Sequence, residues 1–359
     1  MIYLAIGLSI SIITNLISYN HGQRWLLIFP ILIYTIAVGC RIETGTDWPV
    51  YKNIYEGILT NDIFSTEYLY QCINYLFAYL GLNYIWLFII FAFLQILLIY
   101  TGIFNNKIQS SVTLVILLYF LCGPFFSSMN IMRQSLAFCI FFNSIPLITK
   151  KKIKSYLVII ILMIGIHTSS IILLPLYFLG KSGIKINHQI QIIILCVVSL
   201  FVGTYIFQRL GEIFFSIVKL DQFARYAIGF EDNNFEFGIG VWIFKFIDLG
   251  IIWYSYKLKS EQNSNIIVIY WIFIIGVLIS NIAIGNQLII RLSYCLISFR
   301  FILLAIITKI FLQSACKKLT IFKAYLFSSW TLIFLAFFSS ILKNNNGIYP
   351  YKSLFESWL

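Results

Sequence analysis

The sequence predicts an all-α, polytopic membrane protein, with about ten full transmembrane helices plus a broken or re-entrant segment at 156–180. Three observations lead there. Hydrophobic residues make up 60% of the 359 residues and charged residues only 11%, against about a quarter charged in soluble domains. Apolar runs close to the roughly 20 residues that a span requires recur from one end of the chain to the other. Eight Trp, 23 Tyr and 34 Phe supply interfacial anchors. No soluble insert separates the runs, so residues 1–359 are expected to form one integral membrane domain.

Taken in order, the spans are predicted near 2–19, 25–40, 84–103, 112–126, 131–148, 189–207, 239–256, 265–284, 288–308 and 321–342. The first has no basic region ahead of it and reads as a span rather than a cleaved signal. The stretch 156–180 is also apolar, but His167, Thr168, Ser169 and Ser170 interrupt its middle. Three stretches are hydrophilic: 41–83, 208–238 and the tail 343–359. Within 41–83, Leu69, Cys72, Ile73, Leu76, Phe77 and Leu80 fall at helical spacing, which predicts an amphipathic helix on the membrane surface. Ile213, Phe214, Ile217 and Leu220 suggest a similar segment in 208–238.

Positive charge sets the orientation. The net charge of +12 would suit nucleic acid in a soluble protein. Here it marks cytoplasmic loops, so the expected partner is the bilayer and no nucleic acid is expected. Lys150, Lys151, Lys152 and Lys154 form the strongest inside signal; Lys309, Lys317, Lys318 and Lys323 form a second. A single crossing by 156–180 would put these runs on opposite faces. If the segment enters and returns, both lie inside and the excess of inside Lys and Arg is larger. The return path is therefore expected, with His167 near its tip and the N-terminus, 41–83, 208–238 and the tail outside. Non-helical backbone at that depth must line a cavity or be buried in protein.

Ionisable residues in a bilayer are costly and are functional candidates by default. Arg133 lies at the outer mouth of a span, His167 within the hairpin, and Arg291 at the outer start of another span. Arg41, Glu43 and Asp47 follow the second span. Lys245 and Asp248 are three apart on one helix and are expected to pair; Arg300 is expected to snorkel or bind a neighbouring helix. Arginine forks match phosphate oxygens in pairs and stay charged, so a lipid-linked diphosphate is a natural partner. A histidine or carboxylate beside it would take a proton from an attacking hydroxyl. The bland alternatives are an interface anchor for each arginine and a structural hydrogen bond for the histidine. The seven scattered cysteines include no CxxC, and there is no H-x-x-x-H, so neither disulfide nor metal site is expected. No phosphate-binding Gly-rich loop occurs, so no nucleotide or other cofactor is expected.

Five segments together resemble one family. Arg41, Gly45, Asp47 and Tyr51 resemble the R-x-x-x-G-x-D-x-x-x-Y signature of Wzy-type polysaccharide repeat-unit polymerases, closest to the EpsG-like family. Asn130, Arg133, Gln134 and Ala137 resemble the family's N-x-x-R-Q-x-x-A segment. The lysines at 150–154, then His167 and Ser169, then Leu174-Pro175, resemble its basic loop, H-x-S and L-P. Arg291 and Tyr294 resemble its R-x-x-Y helix start, and Pro350-Tyr351-Lys352 its P-Y-K. The matches run in the family's order over about residues 1–355. Trp48, where the family more often has Tyr, is a mild departure.

The resemblance implies a polymerase acting at the outer face of the bacterial inner membrane. It would join oligosaccharide repeat units carried on undecaprenyl diphosphate, for O-antigen, capsule or exopolysaccharide. Arg41, Arg133 and Arg291 would hold diphosphate. His167 or Asp47 would serve as general base. Tyr51, Asn130, Gln134, Ser169 and Tyr294 would support them. A separate chain-length regulator would be a further partner. The rivals are a flippase of lipid-linked oligosaccharide, a glycan ligase and a membrane O-acyltransferase. A flippase would usually show two related halves, which the sequence lacks.

Overall fold

With no water to pair the backbone of an apolar run, the chain must satisfy its N–H and C=O groups internally. The computed structural model describes residues 2–19, 24–60, 67–180, 188–201, 239–261, 263–282, 287–313, 320–344 and 347–355. It is 86% helical, with no strand among the described residues. The helices are α1 (Ile2–Tyr19), α2 (Ile28–Gly39), α3 (Trp48–Leu59), α4 (Tyr68–Tyr79), α5 (Ile85–Asn105), α6 (Val112–Leu121), α7 (Pro124–Asn130), α8 (Met132–Thr149) and α9 (Ile153–Ile166). A 3-10 arm, Thr168–Gly180, follows. Then come α10 (Gln189–Phe201), α11 (Ile239–Tyr254), α12 (Ser264–Ile282), α13 (Gln287–Ile297), α14 (Arg300–Gln313) and α15 (Thr320–Leu342).

Exposed Ile12, Leu16, Phe201, Ile321 and Phe327 lie on the outward faces of these helices. A water-soluble monomer rarely presents so much apolar surface, and the chain is a multi-pass membrane protein. Among the described residues, five helices are long and apolar enough to cross, six with the bent pair α6–α7, and five further apolar helices are shorter, so the expected count of about ten full spans is not confirmed. One predicted span is broken. The 112–126 span bends by 55° between α6 and α7, because Gly123 adopts φ +98° and Pro124 then starts a new helix. The predicted 288–308 span has a turn at Ser298 and Phe299, between α13 and α14, yet runs as one membrane-length helix over Ile290–Gln313.

Cross-contacts sort the described residues to two ends. At one end Tyr3 donates to the Ile348 carbonyl, Arg41 bridges to Ser353, Ile42 pairs with Lys352, and Arg41 reaches Met129. At the other end Thr149 bonds Asn265, Asn263 reaches the Asn106 carbonyl, and Lys309 reaches Ser110. Lys150 caps α8 at this second end, so the Lys150 run and Lys309 lie at the same end. Lys317 and Lys318 lie outside the described residues, as does the loop 208–238.

The segment 156–180 doubles back. It leaves the lysine end in α9, breaks at His167 with extended backbone (φ −153°, ψ 114°), and returns through the 3-10 arm. Tyr156 donates to the Leu173 carbonyl at 2.5 Å, and its ring lies 5.5 Å from that of Tyr177. Gly180 ends so close to the Ile148 carbonyl that a methyl group there would overlap it. His167 is therefore carried to the end that holds Arg41 and Arg133. The segment 41–83 folds as two helices, α3 and α4, where one was predicted. In α4 the buried face is Tyr70, Asn74 and Phe77, while Cys72, Leu76 and Leu80 of the predicted apolar stripe stay exposed.

Candidate functional site

The first turn of α8 organises the polar end of the molecule. Ile131 breaks the helix between α7 and α8, so successive side chains fan out to different neighbours. Arg133 points to α3 and α4, and Gln134 and Ser135 point to α13.

On the first flank Arg133 pairs with Glu67, the residue that precedes α4. Its guanidinium also lies over the rings of Tyr70, at 4.9 Å, and Tyr51, at 5.4 Å, a contact that strengthens when partly desolvated. The other oxygen of Glu67 accepts from His167 Nδ1 at 2.7 Å and from the Thr168 backbone N–H at 3.1 Å. That N–H is the first of the 3-10 arm, one of the orphan donors every helix start leaves. Burial pushes the Glu67 carboxyl up, but the hydrogen bond from His167 and the charge of Arg133 outweigh it, and the group lies below its ordinary value. Glu67 is then ionised at neutral pH and can only accept. The proton between it and His167 must sit on Nδ1, which leaves the lone pair of a neutral imidazole on Nε2. Ser169 is half-buried on the following turn.

On the second flank a cleft of about 420 Å³ opens between α7, α11 and α13. Asp47, Asn130, Arg291, Tyr294, Lys245 and Arg300 are among its lining residues. Asn130 Oδ1 accepts from the backbone N–H of Thr46 at 2.8 Å. Gly45 permits this with φ +107°; a Cβ there would collide with Asn130 Oδ1. Gln134 donates to the Arg291 carbonyl, and the Tyr294 hydroxyl meets Ser135 at 3.0 Å. These bonds fix α13 to α8 and leave the Arg291 side chain exposed at the cleft.

Arg41 sits differently. It is 1% exposed, and its guanidinium donates to the carbonyls of Thr44 (3.1 Å), Met129 (2.7 Å) and Val38. It also stacks over Phe88 at 4.8 Å. Burial lowers its pKa to about 10, so it stays charged at neutral pH. Its donors serve the backbone of the 38–44 turn and the end of α7. Lys245 and Asp248 do not pair as expected. Asp248 accepts two bonds from Arg300, at 2.5 and 2.9 Å, while Lys245 turns to Ser280 at 2.7 Å. A fork matches a carboxylate better than an ammonium does.

Of the predicted residues, the structure unites His167, Arg133 and Tyr51 on one flank, and Asp47, Asn130, Arg291 and Tyr294 on the other. Glu67 was not predicted. Its only signal in the sequence is an acidic residue heading an amphipathic helix. A larger cavity, about 790 Å³, lies at the lysine end against Thr14, Ser18, Arg24 and Ser110; it holds none of the predicted site residues.

The comparisons follow the same direction. No curated protein and no solved structure matches the chain. The family model described as "EpsG family" matches residues 24–353, nearly the whole chain, and points to polysaccharide biosynthesis at a membrane. With its helices, its polar end and its signature residues accounted for, the chain belongs to the EpsG family.

Proposed function

We propose that the protein is a polymerase that joins oligosaccharide repeat units carried on undecaprenyl diphosphate, at the outer face of the inner membrane. The observation that carries this reading is the Glu67–His167 contact, at 2.7 Å, beside the Arg133 guanidinium. It supplies a base with a defined tautomer next to a fixed positive charge. Placing this end outside follows from the lysines at the opposite end.

In this reading the acceptor's sugar hydroxyl gives its proton to His167 Nε2 as its oxygen bonds to the anomeric carbon of the donor chain. The bond from that carbon to the phosphate oxygen breaks, and the lipid diphosphate leaves with the electron pair. Glu67 keeps Nδ1 protonated and stabilises the imidazolium that forms, as a carboxylate does for an acid–base histidine. Arg133 and Arg291 offset the charge that develops on the leaving diphosphate. Asp47, on the cleft rim, orients the acceptor. Arg41 holds the loop that presents Asp47 rather than touching substrate. The energy comes from the donor's glycosyl phosphate bond, so the step needs no nucleotide.

Glycan ladders from cells with and without the gene test the proposal. Loss of polymer, with a single repeat unit still displayed on the surface, supports it. Loss of all surface glycan points to a flippase, and polymer accumulating still attached to its lipid carrier points to a ligase.

A further inference from the structure

At the lysine end a cavity of about 790 Å³ lies between the end of α1, the turn before α2, the end of α5 and the start of α6. The reaction above makes no use of it, and its volume falls in the range of small-ligand sites. Three donors at its wall lack an acceptor among the described residues. Arg24 meets only the ring face of Phe104, at 5.1 Å. Asn15 Oδ1 accepts from the Thr113 hydroxyl at 3.2 Å, and the Asn15 amide protons are left to give. Ser110 Oγ accepts from Lys309 at 2.6 Å, and its own proton is likewise left to give. No carboxylate is among the described residues that line the cavity. Arg24 and Lys309 therefore bring two positive charges to a polar hollow whose described walls offer no counter-charge.

We propose that this cavity binds the headgroup of an anionic phospholipid of the cytoplasmic leaflet, a phosphodiester that carries a glycerol, as in phosphatidylglycerol. A phosphodiester only accepts hydrogen bonds and is always charged, which matches the Arg24 fork and the Asn15 and Ser110 donors. The glycerol hydroxyls have Ser18 and Gln109 to meet. An ethanolamine headgroup would instead bring an ammonium beside Arg24, with no carboxylate in the described walls to receive it. Basic pockets between membrane helices on the cytoplasmic side hold acidic headgroups in this way, and the lysines at this end place the cavity on that side. The acyl chains have a path as well. Leu8, Ile12 and Leu16 are exposed at i, i+4 and i+8 on α1, the helix that supplies Asn15 and Ser18. Trp25, next to Arg24, is exposed and is of the type that sits at headgroup level. The inference does not rest on the polymerase reading, whose residues gather at the opposite end.

The test is titration of the full chain in detergent with phosphatidylglycerol, phosphatidylethanolamine and glycerol 3-phosphate, read by native mass spectrometry. Wild type should hold one phosphatidylglycerol and prefer it to phosphatidylethanolamine at least about tenfold, the scale of one charge-assisted hydrogen bond. Arg24→Gln should remove most of that preference. Asn15→Asp, which sets a negative charge where the phosphate lies and keeps the side-chain shape, should do the same. Both residues are exposed, so neither change opens the core. Equal retention of the two lipids by wild type overturns the headgroup assignment. An unchanged preference in both variants overturns the site. Glycerol 3-phosphate that displaces phosphatidylglycerol at equal concentration overturns the lipid assignment in favour of a soluble phosphate ester. If Arg24→Gln does not survive extraction, Asn15→Asp decides alone, and a wild-type preference in it rejects the proposal. Normal polymer from cells without the gene would remove the polymerase reading and leave these binding results standing.

Discussion

Among the described residues, two carboxylate–guanidinium pairs lie in this bundle, and they are built for different ends. Asp248 is 1% exposed and gives both oxygens to one partner, the fork of Arg300. Arg300 in turn lies over the ring of Phe244 at 4.7 Å. The pair is closed: it ties α11 to α14, with both oxygens turned to one guanidinium. Glu67 divides its oxygens, one to Arg133 and the other to His167 and the Thr168 N–H. The charge of that carboxylate is transmitted to a titratable ring at the tip of a hairpin. The same chemistry serves as a clamp in one place and as an orienting group in the other, and the number of partners per oxygen separates them.

The sharpest way to break the comparison is to remove the Glu67 charge while keeping its shape. Glu67→Gln should lower polymer yield by about 100-fold or more, the scale of losing an oriented acid–base group. A glutamine amide can donate to Nδ1 and so stabilise the wrong tautomer. His167→Gln should match it, and the double variant should be no worse than either single one. Near-normal polymer from Glu67→Gln, with the protein inserted at wild-type level, would turn the triad into a second clamp.

Arginine replacements sharpen the contrast between ligand and scaffold. Arg133→Ala and Arg291→Ala should abolish polymer, and Lys at either position should rescue poorly because an ammonium lacks the fork. Full polymer from both Ala variants would defeat the diphosphate role. Arg41→Ala should act through folding instead, with less protein in the membrane, since three carbonyls lose their donor. The closed pair makes a prediction of its own. Asp248→Asn leaves the part-buried Arg300 guanidinium without its carboxylate and should cost up to about 3–5 kcal/mol, whereas a double change to apolar residues should recover most of that. Thermal unfolding in detergent measures both. A comparable loss in the double variant would mean that Asp248 does more than balance Arg300.

The hairpin was legible in the sequence because positive charge fixes which loops share a side, and only a return path put Lys150 and Lys309 together. Glu67 was not legible. Its partners lie 66 and 100 residues away, and an acidic residue at a helix start has the same local appearance whether it faces water or a histidine. The carbonyl partners of Arg41 were not legible for a related reason: an arginine after a span looks alike in sequence whatever its donors meet. The broken span was half legible. Gly123-Pro124 and its chemistry were in view, but the depth of the break depends on how α6 packs, which periodicity does not report. Lys245 and Asp248 satisfied the i, i+3 rule, and a fork on another helix outcompeted it.

The smallest effect expected concerns pH, and it separates the buried carboxylate from an exposed one. Glu67 lies below its ordinary value, which is about 4.3 for a free glutamate. A depressed folded-state pKa means that the unfolded chain binds the proton more readily. The stability from Glu67 is therefore fully present above about pH 5 and is lost as pH falls through the folded value. Thermal midpoints of wild type and Glu67→Gln should differ above the ordinary glutamate range and draw together as pH falls below it. Glu43 is also lowered, by its hydrogen bond from Lys352 and then by that lysine's charge, at 2.8 Å. It is exposed, so solvent screens the pair, and Glu43→Gln should track wild type at every pH. A gap between wild type and Glu67→Gln that does not narrow as pH falls below the ordinary glutamate range would show that Glu67 stabilises through shape alone and not through its charge.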